Sequence, residues 1–171
     1  MKVGIIYDKA FKNEFGSEKF TRINAVMAHA QTWLTHSTLD SKITMVVDST
    51  YKYYNNIIPA TGDNIGYVLL GYILNEGPML ILNHYFVIIY SQLTEWIETK
   101  LNNLPVVDNF VTFSYEGNQA GTVGIAWLGT VCGYLPYSVN INEYFQTDSA
   151  TGQVVAHEIG HNLGKNILDI F

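Results

Sequence analysis

The β-rich run from Val3 to Tyr7, closed by Asp8, predicts a first strand. Apolar side chains then fall at Phe20, Ile23, Met27, Ala30 and Leu34. Alternating steps of about three and four residues place these on one stripe of a helix, and Ser17 stands where an N-cap belongs. Ile43 to Val47 reads as a second buried strand. Leu93, Trp96, Ile97 and Leu101 share one face of a shorter helix that begins near Ser91 and ends before Pro105, where proline cannot continue it. Val111 to Tyr115 is a third strand. Val123, Ile125 and Trp127 alternate with Gly124, Ala126 and Leu128 between Gly121 and Gly129, which predicts a fourth. Ser138 to Ile141 supplies a fifth. A last helix is expected from about Ala150 to Leu163, with Asp148 or Ser149 as N-cap and Gly164 as its stop.

Residues Ile65 to Tyr90 break this rhythm. They are almost uniformly apolar, with Glu76 as the only charge and Asn75, Gly77 and Pro78 as interruptions. A membrane span needs about 20 clean apolar residues, and a charge near its centre costs about 2.5–3.5 kcal/mol. A buried insertion, or a segment foreign to the original fold, therefore fits better than a span. With 171 residues the chain has room for one domain and a sizeable core.

Charge narrows the partners. The formal net charge is -6, and the nine Lys and Arg residues are scattered, so neither nucleic acid nor an anionic membrane surface is favoured. Cys132 is the only cysteine, which rules out a disulfide within the chain. Either it is the buried thiol of a cytosolic protein or it belongs to an extracellular chain whose bonding partner is missing. The apolar run at the start is too short for a signal peptide, and there is no Asn-x-Ser/Thr sequon.

The chemistry concentrates in the last helix. His157 and His161 lie four residues apart, on one face and one turn from each other, so both imidazoles can reach a single Zn²⁺. Glu158 follows the first histidine and is angled aside, where a general base would take a proton from a zinc-bound water. A chance His-Glu-x-x-His on an ordinary surface helix is the competing reading, since a chain of this length shows the pattern at a rate on the order of a few per cent. Apolar Val154, Val155, Ile159 and Leu163, which can bury the other side of the helix, weigh against it. His29, His36 and His84 read as surface or satisfied histidines, and Glu143 as solvated.

Three segments carry a resemblance. Gly121 to Cys132 (GTVGIAWLGTVC), Tyr137 to Ile141 (YSVNI) and Val155 to Gly164 (VAHEIGHNLG) occur in the order and spacing of the adamalysin, or reprolysin, branch of the metzincin zinc peptidases. The resemblance implies an α/β fold of the metzincin N-terminal subdomain. This is a twisted, mostly parallel five-stranded sheet with an antiparallel edge strand, packed by helices that include the zinc-binding one. It implies a zinc-dependent metalloendopeptidase acting on proteins or peptides, with His157 and His161 as Zn²⁺ ligands and Glu158 as catalytic base. The edge strand from Thr122 to Leu128 would bind substrate backbone through Val123, Gly124, Ile125 and Ala126, although from the residues alone an ordinary core strand fits equally well. An extracellular or cell-surface location is implied as well, with no membrane tether evident.

The chain also departs from that family. The third histidine of the pattern belongs three residues after Gly164, where Ile167 stands, and isoleucine cannot bind zinc. Asp169 is the only nearby substitute. The expectation is thus a single catalytic domain over residues 1–171, truncated after the zinc motif and carrying an atypical insertion at about 65–90. In the family, the cysteine of the Gly129-Thr-Val-Cys132 motif pairs with one beyond the zinc helix, so the resemblance makes Cys132 an orphan of an extracellular fold. Two functions follow from these features: a zinc endopeptidase, or a catalytically inactive binding module that keeps the fold.

Overall fold

The computed structural model describes residues 1–37, 42–48, 52–54, 93–115 and 123–164. The apolar segment at 65–90, Ser91, His84, Gly121, Thr122, Ile167 and Asp169 lie outside the described residues.

Strand β1 (Lys2–Asp8) pairs on one side with β2 (Val46–Val47) and β3 (Lys52–Tyr54), and on the other with β4 (Asn109–Ser114), all parallel. Because β2 and β3 lie along the same edge of β1, the sheet is five strands wide. Strand β4 pairs in parallel with β6 (Val139–Glu143), and the short β5 (Gly124–Ala126) closes the far edge antiparallel to β6. Parallel strands are covered on both faces, and β4 is buried at every position. The α/β architecture and the antiparallel edge strand agree with expectation.

Helices cover the two faces. Helix α1 (Lys9–Phe15) and helix α2 (Lys19–Leu34) lie with helix α4 (Asp148–Asn162) on one side, where Val3, Ile5, Val111 and Phe113 meet Ile23, Val26, Val155 and Ile159. On the other side Ile6, Phe110, Val139 and Ile141 meet Leu93 and Ile97 of helix α3 (residues 93–100). Full burial of each such side chain contributes about 1.5–3 kcal/mol. Helices α2 and α4 approach to backbone distance at Gly152, where an added Cβ would lie 2.5 Å from His29 Cβ and 2.9 Å from the Val26 carbonyl oxygen.

Local details differ from the sequence expectation where capping decides them. Ser17 is not an N-cap: it sits in a 3₁₀ turn, Gly16–Glu18, and α2 follows with no side-chain cap. Helix α4 is capped by Thr147, whose Oγ1 accepts from the Ala150 N–H at 3.1 Å, and not by Asp148 or Ser149. Asp148 is engaged instead by the Tyr144 hydroxyl at 2.8 Å and by Arg22 at 3.2 Å. Helix α1 was not foreseen. It is only seven residues long, and Asp8 caps it by accepting from the Phe11 N–H at 2.7 Å. The other Asp8 oxygen accepts from Ser114 Oγ at 2.6 Å.

Burial pushes the Asp8 carboxyl above its ordinary 3.8, against the opposing effect of these hydrogen bonds. A raised folded-state pKa means that the folded chain holds this proton more tightly than the unfolded one. Its contribution to stability is therefore lost as pH rises from 3.8 through the folded value. Urea unfolding of the Asp8→Asn variant beside the parent should show the variant gaining relative stability as pH rises across that window. A constant difference at all pH values would refute the buried-carboxylate account.

Candidate active site

Helix α4 brings the histidines and the glutamate together because Val155, Ala156 and Ile159 anchor its opposite side in the core. His157 and His161 are both half-buried, with ring centroids 4.7 Å apart and planes at 87°. Desolvation, and then the neighbouring His161, lower the His157 pKa below 6.5, favouring the neutral imidazole that can act as a metal ligand. Glu158 is only 5% exposed. Desolvation pushes its pKa from 4.5 up to about 8, close to the range in which a carboxyl both takes and gives a proton near neutral pH.

Strand β5 lies over this glutamate. A Cβ on Gly124 would fall 2.5 Å from Glu158 Oε1 and 2.8 Å from Val154 Cγ1, so only glycine permits this approach of strand to helix. On one side the strand is held by β6, with Gly124 beside Asn142, Ile125 beside Ile141 and Ala126 beside Asn140; Val123 adds its carbonyl to the Glu143 N–H at 2.9 Å. Among the described residues no strand pairs with its other side. The regular strand is shorter than the sequence suggested, covering Gly124–Ala126. Val123, Gly124, Ile125 and Ala126 are all half-buried at the sheet edge.

Beyond β5 the chain turns back over the end of α4. Gly129 (φ +68°) donates its N–H to the His161 carbonyl at 2.8 Å, and Val131 donates to the Asn162 carbonyl at 2.9 Å. Gly164 (φ +81°) donates to the same His161 oxygen at 2.8 Å and ends the helix as expected. Cys132 is exposed, with φ at +69°. His29 and His36 are exposed, apart from the pair on α4, and Glu143 is half-buried.

Sequence reasoning missed a buried ladder of amides. Asn162 Oδ1 accepts from Asn109 Nδ2 and from Asn140 Nδ2, each at 2.8 Å, and Asn142 Nδ2 donates to Asn140 Oδ1 at 2.6 Å. All four asparagines are fully buried. The available signal was Asn140 and Asn142 at alternate positions of a strand, where a core face calls for apolar residues.

Among the described residues no group of three or more His, Cys, Asp or Glu side chains could hold a metal ion. His157 and His161 nevertheless suit one as a pair: two imidazoles on one helix face, the first biased to its neutral form by burial. The reprolysin-type model of metallo-peptidase family M12 matches residues 1–166. This chain belongs to that family of metallopeptidases.

Relatives agree over shorter stretches. The zinc metalloproteinase-disintegrin-like protein BmMP of Bungarus multicinctus is 38% identical over 73 residues, 42% of this chain and 12% of that protein. A zinc metalloproteinase-disintegrin-like protein of Cerberus rynchops is 34% identical over 71 residues, again 42% and 12%. The snake venom metalloproteinase atroxlysin-1 of Bothrops atrox is 31% identical over 70 residues, 41% of this chain and 35% of that one. The matched stretch is thus about a third or less of each relative. A chain in a solved structure of a chaperone-substrate complex has a similar fold, with a TM-score of 0.60 at 15% identity over 96% of this chain and 23% of that one.

The contact between Gly124 and Glu158 is open to a direct test. Gly124→Ala should cost about 1–3 kcal/mol of stability, as overpacking does. Glu158→Ala should relieve part of that cost, giving a favourable coupling of about 0.5–3 kcal/mol in a double-mutant cycle read by urea unfolding. Additive effects would show that strand and helix do not meet there.

Proposed function

We propose that this chain is the zinc- and substrate-binding part of a metalloendopeptidase that hydrolyses peptide bonds of extracellular or cell-surface proteins. The observation that carries the reading is the buried Glu158 carboxyl, set beside two histidines and beneath a strand whose outer edge pairs with no other strand among the described residues. His157 and His161 would hold Zn²⁺. The chemistry that a bound zinc ion supplies is Lewis acidity toward water and toward a peptide carbonyl. Glu158 accepts the proton of the attacking water and passes it to the departing amine. Val123, Gly124, Ile125 and Ala126 receive an extended peptide as an added strand, using backbone groups that β6 leaves unpaired. The extracellular location is supported by the venom origin in the name of one relative. No helix among the described residues is long and apolar enough to cross a membrane.

A second reading has its own observation. Ile167 occupies the position three residues after Gly164, and catalytic zinc sites usually have three protein ligands. A site held by two such ligands would bind zinc more weakly and lose turnover, which fits a catalytically inactive binding module.

Zinc stoichiometry measured alongside cleavage of an unfolded protein substrate separates the two. The peptidase reading expects one zinc per chain and cleavage that falls at least about 10²-fold in Glu158→Gln, the scale of lost general-base catalysis. Zinc binding without cleavage would support the binding module. A chain that neither binds zinc nor cleaves would sink the metalloenzyme reading.

A further inference from the structure

The last residue of helix α4 does more than end it. Asn162 Nδ2 donates to the Trp127 carbonyl at 3.0 Å, to Thr130 Oγ1 at 3.1 Å and to the Val139 carbonyl at 3.1 Å. Its Oδ1 accepts from Asn109 on β4 and Asn140 on β6. One fully buried amide therefore holds two neighbouring strands, the exit of the edge strand and the following loop against the helix turn that carries His161. Two backbone bonds complete the clamp, from Gly129 to the His161 carbonyl and from Val131 to the Asn162 carbonyl. An apolar residue here would leave several buried polar groups unpaired, each costing about 1–3 kcal/mol, so the site demands an amide that donates and accepts at once.

We propose that Asn162 is a positioning residue, which sets the distance and angle between the histidine pair and the substrate-side strand β5. It touches neither substrate nor the reacting atoms and acts through the His161 backbone and the loop at 127–131. The proposal rests on the zinc-peptidase reading, because positioning matters only if the histidines hold a metal. It adds a coupling that this reading does not require. If the clamp ties loop to histidine, metal binding at the histidines tightens the loop, and loosening the loop weakens metal binding by the same factor.

The test uses zinc ions as the probe, with competition by a chromogenic chelator to read affinity and amide hydrogen exchange to read the loop. His161→Ala, expected to abolish binding, locates the ion. In the wild-type chain zinc should slow exchange of the Gly129 and Val131 amides. Asn162→Ala should weaken zinc binding about 10-fold, the low end of what outer groups around a metal site contribute. Because that variant can fail to fold, Thr130→Val provides the milder case, removing one acceptor of the clamp from a partly exposed loop. It should weaken zinc binding several-fold while the metal-free chain melts at the wild-type temperature, a combination that a purely structural role would not give. Unchanged zinc affinity in folded Thr130→Val, with no effect of zinc on the two amides, would overturn the positioning role and leave the zinc reading standing. A wild-type chain that binds no zinc would overturn both.

Discussion

Helix α4 can lie flush against the edge of the sheet only because Gly124 lacks a Cβ, and the rest of the site depends on that approach. With any side chain at 124, the nearest Glu158 oxygen would have to retreat from a contact of 2.5 Å, and Val154 with it. The same helix is pressed from its other side by α2 through Gly152. Two glycines thus let one helix press its side chains onto a strand and its backbone onto a second helix. Its remaining faces are fixed by Val155, Ala156 and Ile159 in the core. Little freedom is left in where His157, Glu158 and His161 can point. This is rigid support of the kind a reactive constellation needs.

That tight approach buries polar groups as well as apolar ones, and the two sets are handled differently. The amides of Asn109, Asn140, Asn142 and Asn162 satisfy one another, so a wet seam between sheet and helix is replaced by fixed hydrogen bonds. The Asn142 oxygen is the exception, with no hydrogen-bond partner. Glu158 is treated in the opposite way, since its carboxyl is buried and its pKa is raised by desolvation. Satisfied amides hold the scaffold, while the Glu158 carboxyl is left displaced from its ordinary acidity. A buried group shifted in this way is what marks a candidate functional site.

The sequence was most readable where burial imposes a period. Strands β1, β4 and β6 and the stripe of α2 showed as runs or repeats of apolar residues, and Gly164 marked the end of α4 through its positive φ. Helix α1 was not readable, because seven residues are too few to establish a period and its start depends on Asp8 reaching the Phe11 amide. The N-cap of α4 was misread by one or two positions because Thr147, Asp148 and Ser149 are all competent caps. Tertiary contacts from Tyr144 and Arg22 engage Asp148 instead. The histidines and Glu158 were legible as a spacing. The role of Gly124 was not, since it depends on a helix that follows it by more than twenty residues. Nor was the amide ladder, whose members come from two strands and a helix and meet only in the folded chain.

The electrostatics of the site follow from the burial of Glu158 and the partial burial of His157. Burial pushes Glu158 up and His157 down, so both groups move toward their neutral forms. A histidine held neutral offers a lone pair, and a carboxyl held protonated keeps negative charge out of a desolvated place. A divalent ion bound by the imidazoles would reverse the second preference without disturbing the first. It would draw Glu158 toward its anion through a low-dielectric space where such attraction is far stronger than in water. The desolvation that favours the neutral forms of Glu158 and His157 is therefore the condition under which a cation there would have its greatest effect on Glu158.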